Sequence, residues 1–283
     1  MLKLSEITIN FIDFLLDNSF GKKALRFLRK FKPKKDIKIH LRGQIMFVRT
    51  IDRIAALYLR KFFLLENFET KIFGSFIKTG MTIVDIGANL GYYSLIAAEL
   101  TGNEGKILAF EPEPENFSLL LKNIEANGYK NIKAFNLAVS DRSGKTNLFV
   151  CEESTGSHKI YDSGENRKSI AVSSVSIDDF LGKTSKIDII KIDVEGAEPY
   201  VFQGMKGVIE ANPKLIIICE FWPYALKTAG FNPKDFLATL ANYGFIIYLI
   251  NEDKKKIEEL NQEDIFSRYG NKKSSINLLL KKK

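Results

Sequence analysis

Thr82-Ile83-Val84-Asp85-Ile86-Gly87-Ala88-Asn89-Leu90-Gly91-Tyr92 decides the fold. A β-branched apolar run enters a glycine-punctuated turn, and an apolar helical pattern from Tyr93 to Leu100 leaves it. That order reads as the first strand, turn and helix of a nucleotide-type βαβ unit. A dinucleotide site takes glycine at the middle of G-x-G-x-x-G, so that backbone can approach a pyrophosphate. Asn89 stands there instead, and Asp85 closes the strand. A D-x-G-x-N-x-G turn suits a ligand with an ammonium and a sulfonium and no phosphate. S-adenosylmethionine (SAM) is such a ligand, and Asp85 is the expected acceptor for its amine or for the turn's own N–H groups.

Working outward, Lys106-Ile107-Leu108-Ala109-Phe110-Glu111 is a buried-type strand ending in a carboxylate and followed by Pro112. A carboxylate at the tip of the second strand can take both ribose hydroxyls of an adenosine. Further on, Ile187-Asp188-Ile189-Ile190-Lys191-Ile192 repeats the strand pattern and runs into Asp193-Val194-Glu195-Gly196-Ala197-Glu198. Asp193 falls at the C-terminal edge of the sheet, where open α/β sheets bind ligands. In extended backbone Asp193 and Glu195 share one side. They can bind the SAM ammonium, orient an acceptor hydroxyl or hold a divalent cation. Gly196 lets the chain turn, and Glu198 suits the positive end of the next helix. Glu220 ends the following strand, before Trp222 and Tyr224, which either stack on a sugar or cap the core. His158, in a polar loop, is a candidate general base with an ordinary pKa near neutrality.

Strands are expected near 81–86, 106–111, 132–137, 187–192, 214–220, 244–250 and 274–280. Helices are expected near 91–101, 114–127, 197–211 and 233–243. The fold class is therefore α/β: a Rossmann-like, doubly wound, mostly parallel seven-stranded sheet, its last strand antiparallel because no helix is expected between the last two strands. Residues 141–180 interrupt the alternation with two strands, 146–150 and 170–177, around a polar loop. The apolar fraction of 45% implies a sizeable core. Two cysteines, Cys151 and Cys219, are too few for a disulfide framework and lack metal-ligand spacing. No metal is assigned.

The net charge of +8 is unevenly spread. Residues 1–80 hold 17 Lys and Arg against 7 Asp and Glu, and the rest of the chain is nearly neutral. The expected division is a basic N-terminal helical and hairpin region, 1–64, and a catalytic domain, 65–283, with its β insertion. Helical spacing covers 5–18, 20–31 and 54–76. In the second of these, Phe20, Ala24, Phe27, Leu28 and Phe31 share one face, with Lys22, Lys23, Arg26, Arg29 and Lys30 opposite. Such a helix either packs on its own domain or lies on an anionic membrane. Ile37–Leu41 and Gln44–Val48 flank Arg42-Gly43 as a hairpin. Asp13 and Asp17 break the first apolar stretch, so no secretory signal is read. The expected place is the cytoplasm, with peripheral attachment through Phe20–Phe31 to the inner face of the membrane.

The segments VDIGANLGYYS, AFEPEPENF, NLAVSD, VSSVSIDDF, DIIKIDVEGAE and IIICEFWP, in that order, resemble FkbM-type SAM-dependent methyltransferases over about residues 65–225. The resemblance implies a class I methyltransferase fold and O-methylation, commonly of sugar hydroxyls on glycans, glycolipids or natural products. Carried over by position, Asp85, Gly87, Ala88, Asn89 and Gly91 line the methionine part of SAM. Glu111 and Pro112 hold the ribose side, and Asn136–Ser140, with Ala138 at its centre, flanks the adenine. Asp193, which also touches SAM, and Glu195 face the transfer centre, with His158 as third catalytic candidate. The acceptor is a small molecule or glycan. Three rivals remain: an RNA 2′-O-methyltransferase, a non-catalytic SAM-binding module and a NAD-dependent enzyme. The basic charge permits the first, but nucleic acid is disfavoured. Asp193-Val194-Glu195 stands where base-amino methylation needs an N-P-P-Y type element.

Overall fold

The computed structural model describes residues 36–49, 68–152, 154–271 and 274–282. The expected helices at 5–18 and 20–31, and the part of the third before Phe68, lie outside the described residues.

A hairpin of β1 (Asp36–Leu41) and β2 (Gln44–Arg49) comes first, followed by α1 (Phe68–Phe76). Then β3 (Thr82–Ile86), α2 (Tyr92–Thr101), β4 (Lys106–Phe110), α3 (Pro114–Asn127) and β5 (Ile132–Phe135) alternate. The insertion holds β6 (Ala138–Val139), β7 (Gly144–Phe149), β8 (Ser169–Val175) and α4 (Ile177–Leu181). Alternation resumes with β9 (Ile189–Ile192), α5 (Glu198–Gln203), α6 (Lys206–Ala211), β10 (Ile216–Phe221), α7 (Pro223–Thr228) and α8 (Pro233–Asn242). The chain closes with β11 (Phe245–Asn251), β12 (Lys256–Glu259), α9 (Gln262–Tyr269) and β13 (Ile276–Lys282).

The main sheet runs β12-β11-β13-β10-β9-β3-β4-β5. From β10 to β5 every pairing is parallel, and β13 is antiparallel to both β10 and β11. All seven expected strands are present, with the last one antiparallel as expected. Period-2 alternation divides each central strand between two cores. Val84, Ile86, Leu108, Phe110, Ile190 and Ile192 face α5, α6 and α8. Ile83, Ile107, Ala109 and Ile189 face α1, α2 and α3. Each fully buried Ile or Phe contributes about 1.5–3 kcal/mol by leaving water. The chain winds from β3 out to β5 and crosses back to β9, so a crevice opens at the C-terminal ends of β3 and β9.

Three details depart from the expected pattern. The helix at 197–211 is two short helices, and the Gly204 between them packs so close to the Ser140 carbonyl oxygen that a side chain there would begin 2.1 Å from it. The second is capped afresh by Asp178, which accepts from the N–H groups of Gly207 and Val208. The segment 251–271 is not a bare connection: β12 adds an eighth, edge strand, and α9 follows with Asn261 as N-cap. Lys256-Ile257-Glu258-Glu259 reads poorly as a strand because edge strands carry charge.

The hairpin at 36–49 forms in the expected register. Side-chain amides of α3 complete its open edge: Asn127 Oδ1 accepts from Ile45 N and its Nδ2 donates to Ile45 O. Asn123 does the same with Phe47. Among the described residues, no helix is long and apolar enough to cross a membrane.

Candidate active site

The β3–α2 turn is shaped by two backbones in close approach. Gly87 has φ +81°, and a Cβ there would meet the Asp193 carbonyl oxygen at 1.9 Å. Asn89 takes φ +50°, a left-handed conformation that asparagine tolerates better than most side chains. Its N–H donates to Glu111 Oε2 at 2.8 Å. Gly91, at φ +91°, is the N-cap of α2. Asp85 is buried, and Ser94 Oγ donates to its Oδ2 at 2.5 Å. Burial raises its pKa to about 6, against the Ser94 bond and the charge of Lys191, which lower it.

Glu111 follows β4 and turns both oxygens inward. Oε1 accepts from Glu113 N at 2.9 Å, opposite the Asn89 bond. Burial outweighs these donors and lifts the carboxyl to about 7. Glu113 caps α3 by accepting from Asn116 N, with Pro114 in the first turn.

At the end of β9 the backbone is not extended, contrary to expectation. Glu195 and Gly196 both have positive φ, +57° and +101°. A turn closes between Ala197 N and Val194 O at 3.2 Å. Glu198 holds it from below, its Oε1 accepting from Val194 N and Gly196 N. Tyr161 holds it from above, donating to the Glu195 carbonyl at 2.7 Å. Asp193 is exposed, whereas Glu195 is half-buried. Burial, then the neighbouring Asp193 and Glu198, raise Glu195 to about 8, with Lys159 and Arg167 opposing. Burial raises Glu198 to about 7, and Glu220 rises well above the carboxylate range by burial and by the charge of Asp193.

Beneath Asp193 lies Lys191, 1% exposed. It is the register partner of Asp85 on β3. Its Nζ stands 3.4 Å from Glu69 Oε1 and 3.5 Å from Asp193 Oδ2, with the Tyr93 ring centroid at 5.1 Å. These carboxylates hold its pKa above the usual lysine range despite burial.

A cavity of about 410 Å³ fills the crevice. Gly87, Ala88, Asn89, Glu111, Pro112, Ala138, His158, Asp193 and Glu195 all line it, as do Met46, Tyr92, Asn116 and the 154–156 loop. Phe110, Leu137, Val139, Leu148 and Ile160 supply an apolar wall. Asp85 and Gly91 are not part of the wall. Asp85 is tied to Ser94 of α2 and does not border the cavity.

The donor set fits SAM. Among the described residues, no Lys or Arg lines the cavity, so a pyrophosphate finds no counter-charge there. Carboxylates and amide oxygens suit ribose hydroxyls, an ammonium and a sulfonium. Asn89 Oδ1 and Asn116 Oδ1 are buried acceptors with no partner among the described residues.

His158 lies in the wall, but its chemistry differs from expectation. Its Nδ1 accepts from Cys151 N at 3.0 Å, which puts the ring proton on Nε2. Burial, then the Arg167 charge, lower its pKa to about 4. A neutral ring with Nδ1 occupied offers a donor to the cavity, not a base. Trp222 and Tyr224 do not line the cavity, and their rings lie tilted at 6.3 Å. Lys191, Asn116 and Tyr161 escaped the sequence reading. Only Lys191 left a signal, as a charge inside an otherwise apolar buried strand.

The family described as "Methyltransferase FkbM domain" matches residues 85–247. The hexuronic acid methyltransferase AglP of Haloferax volcanii is 26% identical over 188 residues, covering 64% of this chain and 67% of its own. The methyltransferase sdnD of Sordaria araneosa is 28% identical over 199 residues, covering 58% and 73%. A SAM-dependent methyltransferase of Aquifex aeolicus superposes with a TM-score of 0.44 at 13% identity, over 81% of this chain and 97% of that one.

Proposed function

The chain belongs to the FkbM methyltransferase family and is a SAM-dependent methyltransferase, and from that premise we propose that it methylates a hydroxyl oxygen, that of a sugar in a glycan, glycolipid or natural product. One observation carries the reading. The carboxylates of Asp193 and Glu195 border the same cavity as the Asn89–Glu111 turn, at the end of β9 rather than of β4. A sugar acceptor agrees with the name of the relative that acts on hexuronic acid.

The bound cofactor supplies a methyl group already activated by its sulfonium. Glu111 would accept from the ribose hydroxyls, and the apolar wall around Leu137–Val139 would take the adenine. Asp193 would orient the acceptor hydroxyl toward the methyl donor. Glu195 removes the hydroxyl proton as the oxygen attacks; its raised pKa places it close to the working pH of a general base. His158 donates from Nε2 to an acceptor oxygen. Asp85 steadies the turn through Ser94. Incubation with methyl-labelled SAM and fractionated glycans tests the reading: label enters a sugar fraction, and label in RNA alone contradicts it.

We further propose that the basic helix read at Phe20–Phe31, outside the described residues, attaches the enzyme to an anionic leaflet near a lipid-linked acceptor. Five cations at about 1 kcal/mol each suffice for reversible attachment. Sedimentation with anionic vesicles should show binding at low salt and release at about 1 M, where the Debye length is near 3 Å. Protein left in the supernatant at every lipid composition overturns this attachment.

A further inference from the structure

The insertion touches the cavity at both ends, and the contacts differ in kind. β7 ends at Phe149, whose backbone pairs again with Lys159, N to O at 2.7 and 3.2 Å. Between them the tip of the loop reaches the ribose side. Asn116 Nδ2 donates to the Thr155 carbonyl at 2.7 Å. The same amide is hydrogen-bonded to Glu111, whose carboxyl it stabilises as the anion. Asn116 is 1% exposed, and its Oδ1 has no partner among the described residues although Asn116 lines the cavity. Packing is close at this point: a Cβ on Gly156 would lie 3.3 Å from Asn89 Nδ2.

On the return leg side chains alternate. His158 and Ile160 line the cavity. Lys159 and Tyr161 point the other way, Lys159 Nζ lying 5.6 Å from the Trp222 ring centroid. Tyr161 Oη donates to Glu195 O at 2.7 Å and to Ala225 O at 3.2 Å. A Cβ on Gly196 would meet that hydroxyl at 2.7 Å. The turn so held has two successive residues at positive φ, one of them the non-glycine Glu195, a conformation that persists only when its surroundings enforce it.

Resting on the reading of the cavity as the SAM site, we infer that residues 154–161 form a strap that couples cofactor occupancy to the geometry of the methyl-transfer carboxylates, with Asn116 and Tyr161 as its positioning residues. A ribose hydroxyl donating to Asn116 Oδ1 fixes the amide that holds Thr155. The ordered strap then fixes Tyr161, and Tyr161 fixes the Asp193–Gly196 turn. The acceptor end is set once the cofactor is in place, which implies ordered binding with cofactor first.

Hydrogen–deuterium exchange on the full chain, with and without saturating S-adenosylhomocysteine (SAH), tests this, calorimetry reporting SAH affinity separately. In the unaltered protein SAH slows exchange over both 154–161 and 193–198. In Tyr161→Phe, SAH still binds and still protects 154–158, but its protection of 193–198 drops about fivefold, the loss of one net hydrogen bond. Asn116→Ala tests the other pin, should the first variant fold poorly: SAH stays bound through Glu111, yet protection of both segments falls. Full SAH-dependent protection of 193–198 in either variant overturns the strap. So does unchanged exchange over 154–161 when SAH binds the unaltered protein. An absence of binding heat with the unaltered protein overturns the cofactor reading instead.

Discussion

The carbonyl oxygen of Asp193 lies 1.9 Å from where a side chain on Gly87 would begin. The first turn and the end of β9 are therefore one packed unit, backbone against backbone. Gly87→Ala meets backbone on one side and a φ of +81° on the other, the latter alone costing about 1–2 kcal/mol. SAM affinity by calorimetry should fall about tenfold or more, with transfer lost. Near-normal affinity and transfer contradict the packing described.

The proposed ribose contacts of Glu111 predict that SAM binding depends on pH. Burial lifts its carboxyl to about 7, and those contacts need it as the anion. Protons compete with the cofactor, so affinity falls as pH drops below 7, about tenfold per unit, and is flat above. Glu111→Gln should weaken binding by about 1.5–3 kcal/mol and remove the pH dependence. A wild-type affinity independent of pH from 5.5 to 8 contradicts this role.

Lys191 is a counter-ion that the interior cannot spare. Lys191→Met leaves Glu69 and Asp193 facing each other without it, at about 3–5 kcal/mol. Chemical denaturation should show that loss, with partial recovery in Lys191→Met/Glu69→Gln. A single variant as stable as the parent would show the cation to be dispensable.

His158→Asn should lower kcat by no more than about tenfold, the worth of the one Nε2 hydrogen bond to the acceptor, because an amide oxygen can still accept from Cys151 N and no base is lost. Glu195→Gln, in contrast, should cost about 10²–10⁴ in rate. The reverse ranking would return the base to the imidazole.

The frame of the site was legible where strands declare themselves. Lys106–Phe110 and Ile189–Ile192 are apolar runs followed directly by an acid, so chain order alone put Glu111 and Asp193 at one sheet edge. What the acids do there was less legible. Asp85 was expected to close its strand, but it stands inside β3, level with Ala109 and Lys191 rather than with Glu111 and Asp193, so Glu111 reaches the cavity while Asp85 bonds Ser94 of the next helix. The positive φ of Glu195 depends on Tyr161, 34 residues upstream in a loop whose path no periodicity fixes. Gly204, between the two short helices, lies against the Ser140 carbonyl, a contact that helical periodicity does not announce. The α9 helix has a single buried residue, Ile265, too narrow a stripe to stand out beside charged flanks.

The most direct test of oxygen methylation at this cavity is the chemical identity of the product. The full chain is incubated with 13C-methyl SAM and the active glycan fraction, and the product is read by NMR. The account predicts one methoxy carbon on a sugar, with no signal from Asp193→Asn or Glu195→Gln at equal SAM occupancy. Label on nitrogen or carbon, or undiminished methoxy product from both variants, would contradict it.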